Sequence, residues 1–244
     1  MPSLSPHAPY STHVLLYDLA AHWSKQSASP ICTHLAESKE ELRLLEHGDG
    51  PLRDFLQSIG AWDVDSAPFL CRTSDYVESR VARDADWLIA HGNYLTREDI
   101  VRLARPATGP GPRRSVVYCP QTHAYFGHRR HPYPDMFAAG LTVCLGTDSL
   151  ASTPSLSILD EMRFLHRRDD SLPGPTLLHM ATLAGAWALK REQHCGSLTP
   201  GKLADLAVIR LPDREDSLPY RLLLESDQPV TRTMIGGRFV FQMR

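Results

Sequence analysis

Pro30-Ile31-Cys32-Thr33-His34-Leu35-Ala36-Glu37 sets a short apolar run against a histidine, with a carboxylate three residues further on. The run is too short for a helix and reads as a buried strand. The same junction recurs along the chain. Leu88-Ile89-Ala90 runs into His91, Val116-Val117-Tyr118 into Cys119-Pro120 and then His123, and Val143-Cys144-Leu145 into Gly146-Thr147-Asp148. A single histidine after a strand is more often structural than chemical. Metal-ligand and acid–base residue types at successive strand ends are harder to ascribe to chance. In a closed parallel barrel such residues converge on one mouth, where barrels carry out their chemistry.

Between the strands lie helical patterns. His13 to Lys25 has apolar residues at Val14, Leu15, Leu16, Leu19 and Ala20, a helical spacing. Helices are also expected over Lys39–Glu46, over Leu52–Ile59 with Gly60 as its stop, over Leu156–His166 and over Thr176–Leu189. Thr96 to Ala104 reads as a helix with Thr96 as N-cap and Asp99 completing an acidic capping box. Pro106 to Pro112 is a surface loop by composition. Strands alternating with helices imply a parallel α/β sheet. The style then changes. Leu203–Leu211 is a strand candidate, and Thr231–Phe241 reads as two strands about Gly236-Gly237, a hairpin signal. The expected organisation is α/β over residues 1–195 and a small β segment over 196–244.

A formal net charge of −2 argues against a nucleic-acid binder that works by counterion release. With 42% apolar and 22% charged residues the composition is that of an ordinary soluble enzyme. No apolar run reaches the ~20 residues needed to cross a bilayer, and Met1-Pro2-Ser3-Leu4-Ser5 lacks a leader's basic and apolar regions. A cytoplasmic protein with no membrane partner is expected. The five cysteines form no CxxC pair, so neither a zinc ribbon nor a disulfide framework is suggested. Cys32, Cys119 and Cys144 sit in apolar runs and read as small buried hydrophobes.

The motifs resemble, in order, those of the amidohydrolase superfamily. They are Ser5-Pro6-His7-Ala8-Pro9-Tyr10, Thr33-His34-Leu35-Ala36-Glu37-Ser38, Ala90-His91-Gly92 and Leu145-Gly146-Thr147-Asp148-Ser149. Ala151-Ser152 and Glu161-Met162-Arg163 fit the segment after the aspartate, and Gly196 to Leu206 is similar to the return into the family's small β domain. The branch resembled holds cytosine, guanine and adenosine-type deaminases and the triazine chlorohydrolases. The resemblance implies part of a (β/α)8 barrel, about strands 4–8, with a small C-terminal β appendage. It also implies a hydrolytic deaminase of a nucleobase- or nucleoside-like heterocycle, cleaving a carbon–nitrogen bond with metal-activated water. One divalent metal, zinc or iron, would be held by His34 and Asp148. Asp148 would also hold the nucleophile, Glu37 would shuttle the proton, and His91 would polarise the reacting centre. His7 and His91 would touch the substrate.

Thr122-His123-Ala124-Tyr125-Phe126-Gly127-His128, followed by Arg129, Arg130 and His131, stands where relatives carry Pro-x-Ser-Asn. His123 and its aromatic neighbours suit stacking on a heteroaromatic base; a solvated basic loop is the other reading. The chain departs from the family in one respect: no His-x-His occurs, although the family's first strand supplies two metal ligands with it. The expectation is a sequence truncated relative to a working protein, a complementing chain or homo-oligomer that supplies the rest, or a non-catalytic remnant. A chlorohydrolase or a cyclic amidine or imidazolone hydrolase is the alternative activity.

Overall fold

The computed structural model describes residues 3–62, 72–73, 85–104, 112–213 and 218–243. The chain divides into two compact units, residues up to Val143 and Cys144 onward. In the first unit strands β1 (Ile31–Leu35), β2 (Trp87–His91) and β3 (Arg114–Tyr118) lie side by side, followed in the sheet order by β4 (Thr142–Leu145), which begins in this unit. The β1–β2 and β2–β3 pairs are parallel. Leu4 to His7 runs along the free side of β1, where its carbonyls accept from Cys32 N (3.2 Å, to Leu4) and His34 N (2.8 Å, to His7).

The helices of this unit follow their terminal signals. In α1 (Val14–Ser27) the His13 ring accepts from Leu15 N, and Ala28 closes the helix at φ 54°. α2 (Lys39–His47) starts on the Ser38 hydroxyl and ends at Gly48 in the left-handed region. α3 (Pro51–Ser58) has proline in its first turn. Before α4 (Arg97–Ala104), Asp99 Oδ2 accepts from Thr96 N at 2.8 Å and Asp99 N donates to Thr96 Oγ1 at 3.2 Å, the reciprocal cap expected from sequence. The short helices α5 (Pro120–Tyr125) and α6 (Tyr133–Ala138) occupy stretches not read as helical. The loop expected over 106–112 lies outside the described residues, Pro112 excepted.

One helical face differs from expectation. α1 buries Tyr17, Ala20 and Ser24, while Leu15, Leu16 and Leu19 are exposed. The small residues let the helix approach β1 closely enough for Tyr17 Oη and Thr33 Oγ1 to meet at 2.8 Å, with the Tyr17 ring stacked towards Trp87. On the buried face the Tyr17 ring is covered and its hydroxyl is satisfied by Thr33.

In the second unit α7 (Ile158–Arg168) starts on the Ser157 hydroxyl and packs with α8 (Gly174–Ala181), which α9 (Leu183–Ala188) follows. The single helix expected over Thr176–Leu189 is thus broken. Thr182 leaves helical geometry at φ −132°, ψ −86°, and its hydroxyl donates back to the Leu178 carbonyl at 2.6 Å. A Cβ at Gly196 would lie 2.7 Å from Ala186 Cβ and 3.2 Å from the Thr182 carbonyl, so the return chain presses against the break. Strands β5 (Leu206–Ile209), β6 (Val230–Ile235) and β7 (Arg238–Gln242) form an antiparallel sheet in that order. The β6–β7 hairpin turns on Gly236 and Gly237, both at positive φ. α10 (Pro219–Leu224) and the segment after it are tied to α7 by the buried Arg163, which donates to the carbonyls of Leu223 (3.0 Å) and Gln228 (2.8 Å) and to Ser226 Oγ (3.2 Å). Among the described residues no helix is long and apolar enough to cross a membrane.

Gly92 has φ +62°, and an added Cβ would lie 3.0 Å from Leu95 Cδ1 and 3.2 Å from Val116 Cγ1. Gly92→Ala is expected to destabilise the protein by about 1–3 kcal/mol, read from the urea unfolding midpoint, because backbone strain adds to overpacking.

Candidate active site

Parallel register sets the geometry. His34 pairs with Ala90 and Leu35 with His91, so β1 and β2 deliver their histidines at nearly the same height. The two imidazoles stack with centroids 5.2 Å apart, and the His7 ring lies 4.7 Å from that of His34. Glu37 Oε1 is 3.6 Å from His91 Nε2. His7, His34, Glu37 and His91, all singled out from sequence, are therefore neighbours within one unit.

The tautomer of His34 is set by the main chain. Its Nδ1 lies 2.8 Å from the His7 carbonyl, which can only accept. Nδ1 therefore carries the proton, and Nε2 keeps the lone pair a metal needs. A histidine oriented in this way offers one ring nitrogen to a divalent metal. Partial burial and the His34 imidazole lower the pKa of His7. Tyr10, edge-on to His7, has its phenol pushed up to about 12 by burial and then by the charges of Glu37 and Glu41, so it stays protonated at neutral pH.

Asp148 belongs to the second unit, exposed just past β4. It adopts φ 59°, unusual for a residue other than glycine, and Ser152 Oγ donates to its Oδ2 at 3.3 Å. His123 sits on α5, buried, its ring within 6 Å of Tyr118, His128 and His131. The solvated-loop reading of this stretch holds for Arg129 and Arg130, which are exposed, but not for His123 or His131. Of the cysteines read as buried, Cys119 and Cys144 are buried and Cys32 is partly exposed, with burial raising its thiol pKa.

Two residues given no separate role from sequence, His131 and Glu41, hold the backbone of the site. His131 is 2% exposed, takes the Tyr133 N–H on Nδ1 at 3.1 Å and donates from Nε2 to the His91 carbonyl at 2.8 Å. It braces a backbone that His91 turns through φ 68°. Glu41, fully buried, accepts from the amides of Ala36 (3.0 Å) and Glu37 (2.8 Å). Burial pushes its carboxyl up to about 7 against the opposing pull of those amides. Ser38-Lys39-Glu40-Glu41 carries a capping-box spacing, a signal that could have exposed Glu41. Nothing comparable in the sequence marks His131.

Residues 1–240 match the Amidohydrolase family, and the chain belongs to it. It is similar to a 5-methylthioadenosine/S-adenosylhomocysteine deaminase of Halothermothrix orenii, 30% identical over 99% of this chain and 53% of that protein. It is also similar to a 5'-deoxyadenosine deaminase of Methanospirillum hungatei, 31% identical over 86% of this chain and 42% of the other. Among solved structures, aminofutalosine deaminase of Helicobacter pylori in complex with methylthio-coformycin superposes at TM-score 0.82. That match has 26% identity and covers 98% of this chain and 57% of that one. The parallel α/β sheet of this chain matches part of that solved structure and is a partial barrel of the same type. The chain spans about half the length of the curated relatives it matches.

His131 gives a pH prediction. Burial, with His123 and His91 adding to it, lowers its pKa to about 3. Below pH ~6.5 the unfolded imidazole takes a proton that the folded one refuses. Stability should therefore fall as pH drops from about 6.5 towards 3. Urea midpoints across that range should decline less steeply in His131→Gln than in the parent; equal slopes would assign the acid sensitivity elsewhere.

Proposed function

We propose that the chain contributes the proton-handling side of a hydrolytic deaminase acting on a nucleoside-like aminoheterocycle. The observation that carries this reading is the Glu37 carboxylate set against the buried His91 imidazole, beside a His34 whose Nε2 is left for a metal. His34 and Asp148 would hold one divalent ion, zinc or iron, with the remaining ligands coming from outside these residues. The ion, when bound, makes water acidic enough to act as a nucleophile near neutral pH.

The protein's own groups do the rest. Water adds to the ring carbon bearing the amino group. Glu37 takes the proton from that water and delivers it to the departing nitrogen, and ammonia leaves. His91, shielded from solvent, hydrogen-bonds the reacting group and polarises the carbon–nitrogen centre. His7 and His123 contact the substrate. Deaminases of 5-methylthioadenosine, S-adenosylhomocysteine and 5'-deoxyadenosine among the relatives support an adenine-like ring with a modified 5' position.

The test is ammonia release from 5'-methylthioadenosine by the zinc-loaded protein, with metal content measured alongside. Glu37→Gln should lower turnover by about 10²–10⁴-fold while metal content stays unchanged. Chloride release from a chlorotriazine, with no ammonia from the nucleoside, would transfer the reading to a chlorohydrolase. Protein that retains no metal and releases neither product would support a non-catalytic role.

A further inference from the structure

We propose that Glu41 is a positioning residue for Glu37, gripping the main chain at Glu37 so that its carboxylate stays opposite His91. The inference rests on the proton-shuttle reading of Glu37 given above.

Ala36 adopts φ 53° as the chain leaves β1. The consecutive amides of Ala36 and Glu37 then converge on one point, a concave arrangement suited to an anion. The Glu41 carboxylate fills it, with Oε1 3.0 Å from Ala36 N and Oε2 2.8 Å from Glu37 N. In an ordinary capping box this carboxylate would serve the N-cap amide, here that of Ser38, from the helix surface. Glu41 instead reaches past Ser38 into the protein and is fully buried. Helix capping alone does not call for that desolvation.

The other side of the residue is held as well. Asn93, 1% exposed, donates from Nδ2 to the Glu37 carbonyl at 3.0 Å, and Tyr94 N donates to the Ala36 carbonyl at 2.9 Å. Both polar groups of the Glu37 backbone are therefore taken by side chains, one from α2 and one from just past β2. Asn93 lies two residues after His91. The clamp thus ties the backbone of Glu37 to the loop that carries its 3.6 Å partner.

The experiment combines hydrogen exchange with a double-mutant cycle on the full chain. Glu41→Gln keeps size but turns one acceptor into an amide facing a donor. The amides of Ala36 and Glu37 should exchange about tenfold faster, the loss of roughly one hydrogen bond, while those of β2 and β3 are unchanged. Ammonia release should fall on the order of ten- to a hundredfold in kcat with KM little altered. The same substitution in a Glu37→Gln background should cost nothing more. Asn93→Ala should reproduce this pattern and serves if Glu41→Gln does not fold; failure of both to fold would make the pair structural and overturn the proposal. Equal kcat losses in the two backgrounds, or unaltered exchange at Ala36 and Glu37, would also overturn it. If the parent releases no ammonia, the functional reading fails separately. Exchange at those two amides then decides whether Glu41 holds the Glu37 backbone.

Discussion

Everything at the candidate site depends on the register of two parallel strands. With His34 opposite Ala90 and Leu35 opposite His91, the two imidazoles are stacked and the residues that follow leave the sheet side by side. A slip of one residue would turn the apolar side chains of one strand to the other face, away from the core. The apolar faces of β1 and β2 oppose such a slip. Ile31, Leu35 and Ile89 are fully buried and Trp87 nearly so, and shifting either strand would expose them. The site's geometry is thus enforced by the core beneath it.

Beyond the strands the backbone takes conformations that isolated residues avoid. Ala36 and His91 both have φ near +60°, where a Cβ is crowded. Such conformations persist only where their surroundings over-determine them, and here the supports can be named. Glu41 and Asn93 hold the first turn, and His131 holds the carbonyl of the second. Each support is a buried polar side chain that bonds main-chain groups and so stiffens the turn it holds.

The strands were legible because a short apolar run ending in a polar residue is a local pattern. The hairpin at Gly236-Gly237 was legible for the same reason: adjacent glycines supply the two positive φ values its turn adopts. The face of α1 was not, because the partners of Tyr17, the Thr33 hydroxyl and the Trp87 ring, lie on strands more than a dozen residues away. The break at Thr182 depends on the return chain at Gly196, which helical periodicity does not encode. Likewise His34, Glu37 and His91 stood out by position at strand ends, whereas Glu41 and His131 act on backbone atoms of other elements and leave no periodic trace.

The His7 carbonyl accepts from both His34 N and His34 Nδ1. The group that fixes the tautomer of His34 is thus part of the peptide chain, which every amino acid possesses. Replacing the imidazole at position 7 removes its ring from the vicinity of His34 but leaves that carbonyl in place. One position therefore carries two separable assignments: its backbone prepares a metal ligand, and its side chain remains free to vary. Ligand recognition can drift at residue 7 while the nitrogen offered by His34 stays the same.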